Sequence, residues 1–299
     1  MICGPLPAIQ NNIMATIKQI QPSVHAQNIG DADIQYLHYP GDGPPLVLMH
    51  ATGFLPWLWH PIARALTPQY RVIAPYFCDH RAFEPEEGGL SWMVLAQDLA
   101  RMCEKLSLEK PFITGHSMGA TVASIAHVTM KLPIERMILI EPIFLPQAIY
   151  TNRLNVEQHP LASRSIKRRN AWESETEARG YLKSKKIFGK WDEEMLDLYV
   201  RYGMISGDGG GLTLACHPRR EAALFMGGML FDPWPVLPKI HCPTLVVEGE
   251  ASENQSFIDL PKIASLIPGG RYRMVKGAGH LLPQEQPGVI VDIIKDFFA

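Results

Sequence analysis

The sequence predicts an α/β fold: a doubly wound, mostly parallel sheet with a helical lid inserted between its sixth and seventh strands. Three observations lead there. Strand-like apolar runs alternate with helix-like spacing from residue 34 to residue 140, the pattern of a parallel sheet covered by helices. Between about residues 143 and 237 the alternation stops, and charge and aromatic residues take over with helical spacing at Met195, Leu198, Tyr199 and Tyr202. The sheet pattern then resumes at residues 244–248, and Val289, Ile290, Ile293, Ile294 and Phe297 mark a closing amphipathic helix. The expected organisation is therefore a core of residues 26–142 and 238–299, a lid of residues 143–237, and a leader of residues 1–25 outside the fold, with Met14 as an alternative start.

Taken in order, residues 46–49 read as a buried strand running into the small-residue turn His50-Ala51-Thr52-Gly53. Residues 71–75 form the next strand. Trp92, Leu95, Leu99, Met102 and Leu106 then recur at helical spacing as one core-facing stripe. Residues 111–114 are an apolar strand, and Ala120, Ala123 and Ala126 make the following helix slim enough to lie close to the sheet. Residues 136–140 are another apolar strand, ending at Glu141. Residues 271–276 form the last strand, followed by Gly277-Ala278-Gly279-His280.

Composition narrows the class. With 299 residues and 46% hydrophobic content, the chain can bury a large core. A formal net charge of −2 gives no electrostatic footprint for nucleic acid or an anionic membrane. No stretch reaches the roughly 20 apolar residues that span a bilayer. Residues 1–12 lack the basic patch and apolar run of a secretion signal. The five cysteines, Cys3, Cys78, Cys103, Cys216 and Cys242, are scattered without paired spacing, which suits free thiols in a reducing compartment. The expectation is a cytoplasmic protein; oligomeric state is not legible.

The chemistry concentrates at Gly115-His116-Ser117-Met118-Gly119. This is the G-x-S-x-G nucleophile elbow, a serine on a sharp turn between strand and helix. Glycine is needed two residues either side of the serine because a Cβ there would strike the neighbouring helix or strand. The turn presents the Ser117 hydroxyl and aims the Met118 amide N–H at the same point. A second N–H, that of Thr52, converges from the earlier turn. Two fixed amides at the oxygen of a tetrahedral intermediate stabilise its charge without reorganisation, each being worth about 3–4 kcal/mol of barrier. Three fixed positions match by chance in roughly one chain in ten of this length, so the weight lies in the combination of elbow, turn and distant histidine.

Together these residues resemble the α/β-hydrolase superfamily over residues 33–298. The resemblance implies that Ser117 is the nucleophile, His280 the base, and the N–H groups of Thr52 and Met118 the oxyanion donors. Ala51 replaces the glycine usual in the family's His-Gly turn, and Tyr76-Phe77-Cys78-Asp79-His80-Arg81 replaces its Asp-Leu-Arg-Gly-His-Gly. The family's acid commonly follows strand seven in Gly-x-x-Asp; here Gly249-Glu250-Ala251-Ser252 places a serine there. Two candidates remain. Glu253 lies next door. Glu141 ends strand six, near the family's alternative acid site, 141 − 117 = 24 residues after the serine, a separation of one helix plus one strand. Glu141 is preferred.

A serine nucleophile disfavours the epoxide hydrolases and dehalogenases of this fold, which use aspartate. Phe188, Trp191, Tyr199 and Tyr202 in the lid favour a hydrophobic small-molecule substrate. Hydrolysis of a carboxylic ester or lactone ranks first and carbon–carbon bond hydrolysis of a vinylogous 1,3-diketone second. A non-catalytic ligand-binding protein is the reading of another class, motivated by the serine at position 252. No metal and no organic cofactor are expected.

Other features have plainer readings. The cluster Arg164, Lys167, Arg168 and Arg169 is read as a solvated helix face. Residues 207–211, glycine-rich, are read as a hinge or turn rather than a phosphate loop. Cys216-His217 lacks partners at metal-ligand spacing. His116 is read as structural, His50 as ordering the oxyanion turn, and Trp57 and Trp59 as core or pocket wall.

Overall fold

Strands covered on both faces must be apolar on both sides of the backbone, and the central strands of this chain are. The computed structural model describes residues 20–299 apart from Pro68, Arg153 and Asp208. An eight-stranded sheet contains β1 (Ser23–Asn28), β2 (Asp33–Tyr39), β3 (Pro45–Met49), β4 (Arg71–Pro75), β5 (Phe112–His116), β6 (Met137–Ile140), β9 (Thr244–Gly249) and β10 (Arg271–Val275). Its order is β1-β2-β4-β3-β5-β6-β9-β10. The pairs β1–β2 and β2–β4 are antiparallel and the others parallel. Two short strands, β7 (Met204–Ser206) and β8 (Leu212–Leu214), form a separate hairpin.

Alternate side chains divide the core in two. Val47, Met49, Ile113, Met137, Leu139 and Val246 face one layer, beneath helices α2 (Trp92–Lys105) and α3 (Met118–Thr129). Leu46, Leu48, Ile138, Ile140 and Val247 face the other, against α1 (His60–Leu66) and the closing helix (Pro287–Phe298). The expected stripe of α2 is buried at Trp92, Leu95, Leu99 and Met102 and partly buried at Leu106.

The segment between β6 and β9 holds the hairpin and helices α4 (Gln147–Thr151), α5 (Pro160–Ile166), α6 (Glu175–Lys183), α7 (Glu193–Tyr202) and α8 (Pro218–Gly227). Part of it has a small core of its own around Val156, Ala162, Ala222, Met226 and Met229, and part is fused to the sheet. Trp172, Leu182, Trp191, Met195 and Tyr199 join the same apolar cluster as Leu58 and Trp59. Trp92 Nε1–H donates to the Leu224 carbonyl at 2.9 Å.

Two expectations need correction. Ser23, Val24 and His25, assigned to the leader, belong to β1 and pair with β2, because an antiparallel edge strand needs only one neighbour. Arg168 is not part of a solvated face: its guanidinium is held by Glu221 at 2.8 Å, with a side chain only 26% exposed. Arg164, Lys167 and Arg169 are exposed, as expected of a solvated face. The glycine-rich run is the β7–β8 turn, closed by Gly207 N–H donating to the Gly211 carbonyl at 3.2 Å. His217 caps α8, its Nδ1 accepting from the Arg219 N–H at 3.3 Å. Cys78, Cys103, Cys216 and Cys242 are buried free thiols. Residues 1–19, including Met14 and Cys3, lie outside the described residues. No helix among the described residues is long and apolar enough to cross a membrane.

Candidate active site

The reversal between β5 and α3 is made by one residue. Ser117 adopts φ +54° and ψ −117°, a conformation that costs a residue with a Cβ on the order of 1–3 kcal/mol. Its N–H donates to the Ile140 carbonyl at 2.9 Å, extending the sheet ladder one residue past the strand end. The flanking glycines leave room for the turn: a Cβ on Gly115 would lie 2.5 Å from the Ala120 nitrogen, and one on Gly119 would lie 2.5 Å from the Met49 carbonyl oxygen.

Glu141 repeats this arrangement on the next strand. Also left-handed at φ +49°, it donates its N–H to the Val247 carbonyl at 2.8 Å. His116 pairs with Ile140 and Ile140 with Val247, so Ser117 and Glu141 follow neighbouring strands that end in register. Glu141 is 1% exposed. Its Oε1 accepts from the Gly249 N–H at 2.7 Å, and its Oε2 accepts from the Ser252 hydroxyl at 2.7 Å and faces His280 Nδ1 at 3.0 Å. An Nδ1–H donated to this carboxylate leaves the lone pair on Nε2. Asn254 Nδ2 lies 2.9 Å from the same Nδ1. Two N–H groups cannot both point along that line, so a ring protonated at Nδ1 requires the amide to turn by half a rotation and present its oxygen.

The loop carrying His280 is pressed onto the sheet end. Gly249 leaves space for it: a Cβ there would be 2.5 Å from the carbonyl oxygens of Ala278 and Gly279. Ala251 N–H donates to the Ala278 carbonyl at 2.8 Å. His116 Nε2–H donates to the His280 carbonyl at 2.9 Å. Burial, and then the neighbouring His280, push the His116 imidazole down to about 3, so it stays neutral as a strut.

In the turn expected to hold the oxyanion, Gly53 takes φ +76°, and neither the Thr52 nor the Met118 N–H donates to another described residue. His50 ties the turn down: its Nδ1–H donates to the Ala51 carbonyl at 2.8 Å and its Nε2 accepts from the Phe77 N–H at 2.9 Å. Burial pushes this imidazole down to about 4.

The structure thus joins Glu141 and His280 directly. It links Ser117 to the strand bearing Glu141 through its own N–H, and to the His280 loop through His116. Among the described residues no hydrogen bond joins the Ser117 hydroxyl to the imidazole, whose ring bonds are the two at Nδ1. Glu253 is exposed and makes no bond to the imidazole. Sequence reasoning missed Ser252 and Asn254. The first had a signal, since a hydroxyl in the place of an acid can donate to an acid supplied from elsewhere; the second had none.

This chain belongs to the alpha/beta hydrolase family, whose pattern it matches over residues 46–293, and members of that family are generally hydrolytic enzymes. It is similar to a Haemophilus influenzae protein described as an esterase/lipase, 24% identical over 240 residues covering 79% of this chain and 76% of that one. The 2-(acetamidomethylene)succinate hydrolase of Mesorhizobium japonicum is 23% identical over 257 residues, 86% of this chain and 88% of the relative. A solved structure of E-2-(acetamidomethylene)succinate hydrolase has the same fold, with a TM-score of 0.79 at 20% identity over 93% of this chain and 99% of that one.

Proposed function

We propose that this protein hydrolyses a carboxylic ester or lactone of a hydrophobic small molecule through an acyl-enzyme on Ser117. The observation that carries the reading is the Glu141 carboxylate 3.0 Å from His280 Nδ1, on the strand beside the elbow. Ser117 Oγ attacks the substrate carbonyl as its proton passes to His280 Nε2. Glu141 holds the ring and stabilises the imidazolium, while the N–H groups of Thr52 and Met118 receive the oxyanion. Collapse of the intermediate sends the Nε2 proton to the departing alkoxide, which stays tethered if the substrate is a lactone. Water then attacks the acyl-enzyme, giving a proton to Nε2 that finally returns to Ser117. Only protons and water are needed, so no cofactor enters.

The insertion serves as the lid, and its aromatic residues support a hydrophobic substrate. The binding-only reading rested on the serine at position 252, and the Glu141 carboxylate beside the imidazole supports the enzymatic reading over it. A fluorophosphonate probe tests the reading. Labelling of the wild-type protein that disappears in Ser117→Ala is expected, followed by turnover of p-nitrophenyl esters or lactones. Folded protein that resists the probe would sink the acyl-enzyme, and turnover confined to a vinylogous diketone would move the reaction to carbon–carbon cleavage.

A further inference from the structure

The oxyanion turn is gripped from the insertion by a carboxylate. Gly53 has no side chain because Glu221 of α8 fills that space: a Cβ on Gly53 would lie 2.4 Å from Glu221 Oε1. Glu221 is 9% exposed. Its Oε2 accepts from Arg168 Nη1 at 2.8 Å, while Arg168 Nη2 lies at the long distance of 3.5 Å from the Tyr199 hydroxyl. The next residue of the turn, Phe54, meets Trp191 and Tyr199 edge-on, with ring centroids at 5.5 Å and 5.8 Å. The insertion therefore sets both the shape of the turn and the charge beside it.

That charge has the wrong sign for the chemistry. A carboxylate packed against Gly53 stands one residue from the Thr52 N–H, where the proposed reaction builds negative charge in a site sheltered from water. We propose that Arg168 is a positioning residue for the reaction: by pairing with Glu221 it cancels the negative charge of the group that props the oxyanion turn. The prop and its neutralising partner are then separate parts, one steric and one electrostatic. Burial opposes the Arg168 charge, but Tyr199 and Glu221 more than offset it and hold the guanidinium protonated. The proposal rests on the acyl-enzyme reading.

The test uses full-length Arg168→Met, Glu221→Gln and the double variant, each checked for a native thermal transition. Arg168→Met is expected to lower kcat and the fluorophosphonate labelling rate by about 10²-fold, comparable to loss of an oxyanion donor, with KM changed less than about threefold. Glu221→Gln keeps the prop without its charge and should lose less than about tenfold. The double variant should recover to the level of Glu221→Gln, because the carboxylate that does the harm is gone. A double variant as slow as Arg168→Met would overturn the proposal, since the guanidinium itself would then be required. Arg168→Met at the wild-type rate would overturn it too. Should Arg168→Met fail to fold, the comparison passes to the other two variants: a double variant matching Glu221→Gln supports the proposal, and one much slower overturns it. Wild-type protein that does not label sinks the acyl-enzyme itself, which separates that failure from failure of the Arg168 assignment.

Discussion

On the sheet side of the candidate site, Ser117 and Glu141 are held by main-chain bonds to Ile140 and Val247 that continue the strand ladder. On the insertion side, Glu221, Trp191 and Tyr199 reach the same rim through side chains alone. Main-chain anchorage fixes the serine and the acid in geometries that no side chain need maintain, and it is lost only if the sheet opens. Side-chain anchorage is individually weaker and open to change by single substitutions. On the proposed reading, the chemistry falls to the half held by main-chain bonds, and the shape of the turn at Thr52 and Gly53 to the half held by side chains.

The largest expected effect tests the sheet side. Glu141→Gln should lower kcat by on the order of 10⁴-fold, whereas Glu253→Gln, on an exposed residue without a bond to the imidazole, should leave it within about twofold. Steady-state kinetics on one ester substrate suffice, and a reversed order would move the acid to the loop after β9.

Acid should attack the sheet side next. Burial pushes His50 and His60 down to about 4 and His116 down to about 3. Unfolded chains take up these protons near pH 6.5, while the native state resists until pH 4 or below. The unfolded state thus binds more protons across that window, and stability present above pH 6.5 is lost as pH falls, by on the order of a few kcal/mol. Denaturant midpoints measured from pH 7 to pH 4 should decline, and a flat profile would contradict the neutral, buried state of these imidazoles.

The smallest effect concerns Ser252. Its hydroxyl donates to a carboxylate, a bond worth about 1.5–3 kcal/mol. Ser252→Ala should therefore lower kcat roughly 10-fold to 100-fold with KM little changed. Undiminished kcat would show that the Gly249 N–H alone suffices to aim Glu141.

Much of this was legible in the chain. The alternation of β and α segments, the elbow and the His280 loop all depend on local patterning, so the fold and the positions of Ser117 and His280 could be read directly. Glu141 could be nominated, because a strand ending in a carboxylate beside the elbow is a sequence-local fact. Its partnership with Ser252 could not, since that depends on how β6 and β9 pair across more than a hundred residues, and neither could the approach of Asn254 to His280. Arg168 was misread for the same reason: its charge suggested solvent, and its partner Glu221 lies 53 positions away. Ser23 escaped because one antiparallel edge strand carries little periodicity of its own.

Trp57 stacks face to face on Tyr202 of α7, with ring centroids 3.6 Å apart and planes within 4°. One indole thus lies across the seam between sheet and insertion, and its surroundings would change if the two halves parted. The molecule carries its own optical gauge: Trp57 emission, followed in a variant lacking the other tryptophans, would report any such parting without an added label.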